Sequence, residues 1–306
     1  MGPAGAELPQ LLPEKPSIVV EVPVVLAHVS LNRGKKPLEK VQKEDLQLLA
    51  DNRPHPISGF GREEWPLSLV LAVDVSGSIT SNLPLLRRAA REILAVLQPR
   101  DRLALLAFSH QARMIADFTG DRELILEELS LLEAHGGTAL NDALFAAASA
   151  LESQPAGRRR VILFLSDNRA MPANRHGEKE AIDKAHEAGA AVLGIHLPPD
   201  QDDSLKRLLG SLPDSGRVRA ALKTAGDLYL FARETGGEVI RLKRNEDMKE
   251  AFRHMARRIS SLYYLAFQPE AGISDGTLHP ISVRLSSEGK KRWGSAEIVN
   301  RRFFRY

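Results

Sequence analysis

Between Pro66 and Ser260 the apolar positions alternate between two patterns. LSLVLAVDV, RLALLAFS, VILFLSD and AAVLGIHL are short, nearly continuous apolar runs. Such runs mark strands buried on both faces of a parallel sheet. Between them lie longer segments with apolar residues at helical spacing. In LPLLRRAAREILAVL, for instance, Leu86, Ala89, Ala90, Ile93, Leu94 and Leu97 share one face and arginines take the other. DRELILEELSLLEA, NDALFAAASALES and EKEAIDKAHEAG read as further helices, the first opened by Asp121 and Glu123. ARMIADF and GEVIRL add two strands, and a last helix is expected from about Glu246 to Ser260. This alternation predicts an α/β fold: a doubly wound, mostly parallel sheet with helices on both faces and right-handed crossovers.

The flanks follow a different rule. SIVVEVPVVLAHVSL and DLQLLADNRPHPISGF before this region, and SLYYLAFQP, HPISVRLSS and AEIVNRRFFRY after it, read as short strands. Their turns are expected at Asp51-Asn52, Asp275-Gly276 and Glu288-Gly289. Tyr263 and Tyr264 should face opposite sides of one strand, leaving one of them in the core. Neither set makes a sheet with two covered faces alone, so a second, smaller, all-β sandwich-like domain built from both chain ends is predicted. The boundaries are then a proline-rich flexible arm at 1–16, the β domain at 17–64 and 261–306, and the α/β domain at 65–260. The stretch 198–227 is too long for an ordinary αβ link and reads as an insertion with one short helix and a mobile segment.

Composition changes this picture only at a few points. The chain has 306 residues, enough for two domains, and a formal net charge of +3, which gives no field for nucleic acid. The basic residues gather toward the carboxyl end. Arg253, Arg257, Arg258, Lys290, Lys291, Arg292, Arg301, Arg302 and Arg305 are expected on solvated faces. Cysteine is absent, which excludes disulfides, thiolate catalysis and cysteine-ligated metals. No apolar run is long enough to cross a bilayer as a helix, and the start lacks the pattern of a signal peptide.

The chemistry lies where the apolar runs stop. Asp74-Val75-Ser76-Gly77-Ser78 ends the first, and Ser166-Asp167-Asn168 ends the third. Ligand sites of open α/β sheets lie at that edge, and a carboxylate there is costly without partners. A third loop, His135-Gly136-Gly137-Thr138, combines close-approach glycines with another hydroxyl. Two carboxylates and three hydroxyls make an oxygen-only donor set, suited to Mg²⁺, Mn²⁺ or Ca²⁺ rather than zinc or copper. Asp142 is better explained by the helix dipole than as a sixth ligand. His28, His110, His135, His186 and His196 share no metal-ligand spacing, and Trp65 reads as an anchor at the domain junction.

DVSGS, the following GGT and the SD after VILFL, in that order on this scaffold, resemble the metal-ion-dependent adhesion site of von Willebrand factor type A domains. The flanking stretches are similar to those of a bacterial subgroup often exported from the cell. The resemblance implies that Ser76, Ser78 and Thr138 are direct or switchable ligands and that Asp74 and Asp167 hold coordinated water. Where the family has Gly after the last Asp, this chain has Asn168, which also tolerates left-handed backbone. The implied function is divalent-cation-dependent binding of a protein that presents Asp or Glu, without catalysis, in the periplasm or outside the cell, with any leader absent from this chain. The alternatives are a metal-dependent hydrolase, which would need turnover lost with Ser76→Ala, and a structural adaptor binding through the β domain. No G-x-S-x-G, GxxxxGK[ST] or G-x-G-x-x-G motif supports a hydrolase or nucleotide site. With a solvent-facing electrostatic role, Asp74→Ala should abolish ion binding and spare the fold.

Overall fold

The computed structural model describes residues 24–33, 36–61, 65–170, 174–198, 226–242, 248–269 and 276–305. The proline-rich arm, most of the 198–227 insertion and Asp275 of the expected turn lie outside the described residues.

The central sheet has six strands: β6 (Leu67–Asp74), β7 (Arg102–Phe108), β8 (Ala112–Thr119), β9 (Arg159–Ser166), β10 (Ala191–His196) and β11 (Val239–Arg241). Their spatial order is β11-β10-β9-β6-β7-β8, and all pairings are parallel except that of the edge strand β8. Every residue of β6 is buried, as its continuous apolar run requires. Alternate side chains of β6 enter two separate cores. Leu67, Leu69, Leu71 and Val73 meet α1 (Leu83–Leu94), α2 (Arg122–Leu131) and α6 (Met248–Ser261). Val70 and Ala72 face the opposite way, into a core shared with α3 (Leu140–Glu152), α4 (Glu178–Glu187) and α5 (Leu228–Thr235). The sheet is therefore covered on both faces, the doubly wound arrangement expected from the sequence.

Strands from both chain ends build two antiparallel sheets. One has the order β14-β1-β12-β5, with β2 (Lys36–Pro37) beside β1; the other runs β15-β13-β3-β4. In sequence these are β1 (Val25–Arg33), β3 (Leu46–Ala50), β4 (Arg53–His55), β5 (Gly59–Gly61), β12 (Tyr263–Phe267), β13 (Leu278–Leu285), β14 (Glu297–Asn300) and β15 (Phe303–Arg305). Their inner faces share one core that includes Val29, Leu48, Phe267, Val283 and Phe304. The turn between β3 and β4 uses left-handed Asp51 and Asn52, as their side chains permit.

Three expectations need correction. Glu288-Gly289 is no hairpin turn but lies in a short helix, α7 (Ser287–Trp293), whose start is capped by the Ser286 hydroxyl accepting from Gly289 N at 3.0 Å. Tyr263 and Tyr264 do face opposite sides of β12, but both are buried. Tyr263 stacks on Phe60 inside the sandwich, whereas Tyr264 joins the core of the α/β unit. The strand is thus covered on each face. Arg258 and Arg301 are not solvated: they are 6% and 3% exposed. Arg258 bonds Glu238 and the Asn32 side-chain oxygen, joining α6 to β1. His28 is likewise buried here, its Nε2 bonded to the Thr235 carbonyl at the end of α5.

Candidate metal centre

Register across the sheet levels Asp74 with Phe108, and Ser166 with His196, at the carboxyl ends of four adjacent strands. Asp74 is fully buried there. One carboxylate oxygen accepts from Ser76 N at 2.9 Å, and the other from the Ser166 hydroxyl at 2.6 Å. The first bond curls the chain after β6 into a turn, which continues as a 3₁₀ helix over Gly77–Asn82 before α1. The same turn brings the Ser76 and Ser78 hydroxyl oxygens within 3.2 Å of each other. Ser76 is buried and Ser78 half-buried.

The glycine loop is tied to that turn through backbone. His135 N donates to Val75 O at 2.7 Å, and Gly77 N donates to Gly136 O at 3.0 Å. Gly136 has φ +79, which favours glycine, and a Cβ on it would meet His110 Nδ1 at 2.8 Å and so displace that ring. Thr138, 2% exposed, follows two residues later, and Ala139 N is anchored on Ser109 O at 2.6 Å. His110 and His135 flank this loop with ring centroids 6.1 Å apart.

The third loop is held by Ser166 and Asn168. Ser166 accepts from Asn168 N at 3.0 Å while donating to Asp74, so it couples the two strand ends. Asn168 has φ +55, in keeping with the left-handed tolerance that lets it stand where glycine is usual. Its side chain also accepts from Leu228 N at 2.9 Å and donates to Asp227 at 3.1 Å, joining the loop to the start of α5. Asp167 is 3% exposed. Its Oδ1 accepts from Arg169 N at 3.2 Å, whereas its Oδ2 is buried without a hydrogen-bond partner.

Two carboxylates thus sit close together away from water. Burial, and secondarily the charge of Asp167, push the Asp74 carboxyl up to about 7 despite three hydrogen bonds that favour the anion. An orphaned carboxylate oxygen beside a second buried carboxyl is what a bound cation would relieve. The donor set of Asp74, Ser76, Ser78, Thr138 and Asp167 therefore fits a hard divalent ion. Among the described residues no three His, Cys, Asp or Glu side chains cluster as a metal site, so any ion here must rely on hydroxyls.

Asp142 lies outside this set. Its carboxylate accepts from the backbone N of Arg175 and His176, each at 2.9 Å, and so fastens the segment before α4. This goes beyond the dipole role expected for it. Asp74 also departs from expectation, since it is buried rather than solvent-facing. Removing its carboxylate strands the Ser76 N–H and the Ser166 hydroxyl, so Asp74→Ala costs stability as well as any ion affinity. Ser166 itself was legible only as a loop residue, because its part depends on a neighbouring strand. His196, at the end of β10, shares a 2.8 Å hydrogen bond with the Tyr229 hydroxyl and borders the same edge.

Residues 69–169, from β6 to just past the third loop, match the family model of the von Willebrand factor type A domain. The chain carries a von Willebrand factor type A domain. The matched span contains all five candidate ligands of that domain. An uncharacterized protein of Synechocystis sp. is 30% identical over 118 residues, 38% of this chain and 27% of its own. Inter-alpha-trypsin inhibitor heavy chain H4 of Sus scrofa is 28% identical over 158 residues, 45% of this chain and 17% of its own. The chain therefore spans only about a quarter or less of the curated relatives it matches. Among solved structures, BatB from Bacteroides thetaiotaomicron is similar at 17% identity with a TM-score of 0.47, covering 63% of this chain and 97% of its own. A von Willebrand factor type A protein from Catenulispora acidiphila gives 13% identity and a TM-score of 0.47, covering 90% of this chain and 71% of its own.

Proposed function

We propose that the type A domain binds a divalent cation, Mg²⁺ or Mn²⁺ ahead of Ca²⁺, and through it an Asp or Glu side chain of a partner protein. A type A domain is a protein-interaction module, and the site's chemistry supplies the finer reading. The observation that carries it is the buried, unpartnered Oδ2 of Asp167 beside the similarly buried Asp74. Ser76, Ser78 and Thr138 would hold the ion, with Asp74 and Asp167 supplying negative charge around it. A bound ion adds a positive centre that draws a carboxylate from outside.

Ser76 Oγ bonds Ser78 Oγ rather than a histidine, so the central serine of the site has no general base beside it. Our reading is a binding module rather than an enzyme, operating in the periplasm or outside the cell. Among the described residues no helix is long and apolar enough to cross a membrane. Calorimetric titration of the whole chain with Mn²⁺ is the test. A single site is expected, weakened at least about tenfold by Thr138→Ala, a change that removes one oxygen donor. Failure of folded wild type to bind either Mg²⁺ or Mn²⁺ would reject the reading.

A further inference from the structure

The amino-terminal edge of the six-stranded sheet, opposite the metal centre, carries three consecutive arginines, Arg158, Arg159 and Arg160, where β9 begins. A cavity of about 220 Å³ opens there against β1 and β12, its lining including Arg158, Arg160, Glu187, Tyr264 and Arg301. Two of these polar side chains are almost wholly enclosed. Arg301 is 3% exposed, its Nε lacks a hydrogen-bond partner, and no carboxylate pairs with its guanidinium among the described residues. Tyr264 is 1% exposed, and its hydroxyl has no partner either.

Neither neighbouring arginine makes a direct ion pair among the described residues, although the charge of Asp101 reaches Arg158 and that of Glu152 reaches Arg160. Arg160 donates to the Ala188 and Gln154 carbonyls at 2.8 Å each, and Arg158 to Ser68 Oγ at 2.7 Å and to backbone oxygens. Of the lining residues only Glu187 is acidic, and it already bonds Lys184 at 3.3 Å. Three arginines against one glutamate leave the lining with a formal charge of +2. Burial, then the charge of Arg160, lower the Arg301 guanidinium to about 10, so it stays charged near neutrality. A buried charge without a counter-ion is among the costlier features a fold can retain, and water in the cavity would hydrate these donors without cancelling their charge.

We propose that this cleft binds a small oxyanion, a phosphate or carboxylate group, between the guanidinium of Arg301 and the hydroxyl of Tyr264, with Arg158 and Arg160 adding positive charge. The planar fork of arginine suits either group, and the tyrosine hydroxyl supplies one more donor. Because Tyr264 and Arg301 belong to the antiparallel sheets and their linker whereas Arg160 lies on β9, the anion would clamp the two parts of the molecule together.

The test is calorimetric titration and thermal unfolding of the full chain with inorganic phosphate, and in a second arm acetate, at constant ionic strength in chloride. One site for either anion is expected, with Tm raised by about 2 to 4 °C at a concentration tenfold above Kd. Tyr264→Phe keeps the ring and should weaken binding about threefold or more, and Arg301→Gln should abolish it. Ser76→Ala at the metal centre should leave it unchanged. The stronger anion of the two identifies the group preferred. No response to either anion beyond that to chloride overturns the proposal. So does an equal response in wild type, Tyr264→Phe and Arg301→Gln.

Discussion

Replacing Asp74 by Asn changes the charge at the metal centre while keeping its shape, and the consequence can be worked from the structure. In the absence of a divalent ion the Asp74 carboxyl is pushed from 3.8 up to about 7, first by burial and then by Asp167. Between those values the folded chain keeps a proton that the unfolded chain has released. Stability therefore falls as pH rises from about 4 to 7, and the loss levels off above that window. About three pH units at roughly 1.4 kcal/mol each set its size at up to ~4 kcal/mol. Asparagine removes this cost. Its oxygen can still accept from Ser76 N, and its amide can donate to Ser166 Oγ once that hydroxyl turns. Urea unfolding in EDTA should find Asp74→Asn more stable than wild type by roughly 2 to 4 kcal/mol near pH 8, and no more stable near pH 4. Saturating Mg²⁺ should restore wild type, because a cation stabilises the carboxylate, and should do little for the variant. A gap in EDTA that stays constant between those two pH values would refute the reasoning.

Further outcomes follow from the packing between the two parts of the fold. His28 is buried and lowered to about 3, by desolvation first and the charge of Arg301 second. The unfolded chain binds the extra proton below about 6.5, so stability is lost on acidification. The advantage of wild type over His28→Gln, read by urea unfolding, should shrink by roughly 2 kcal/mol between about pH 7.5 and pH 5. Gly289 is pressed on the backbone of Asp45, where a Cβ would come within 2.0 Å of the Asp45 carbonyl oxygen. Gly289→Ala should therefore lower stability by about 2 kcal/mol or more in denaturant unfolding, although alanine favours helix.

The parts of the fold legible in the sequence were those set by local patterning. Continuous apolar runs such as 67–73 can only be satisfied by burial on both faces, and the helical spacing of Leu86, Ala90 and Ile93 picks out the face that meets them. The three candidate loops were also legible, because polar residues at the ends of such runs have few structural reasons to be there. What escaped depends on contacts between distant segments. Arg301 looks like a surface cation within a basic tail, and only the docking of the antiparallel sheets on the α/β unit encloses it. Both faces of β12 are covered for the same reason, so alternation could not separate a core tyrosine from an exposed one. Glu288-Gly289 carries turn chemistry, but the Ser286 cap and the packing of Gly289 on Asp45 convert it to helix. Asp74 marks the site correctly and misleads about exposure, since its strand ends beneath the loops that cover it.

The central claim concerns one cation among side chains from three loops. A crystal of the full chain grown with Mn²⁺ and measured for anomalous scattering tests it most directly. The account predicts a single strong peak at the carboxyl end of β6 and β9, within about 2.0 to 2.3 Å of hydroxyl oxygens from Ser76, Ser78 or Thr138. Density for Mn²⁺ elsewhere only, or none at saturating Mn²⁺ with these loops ordered, would contradict it.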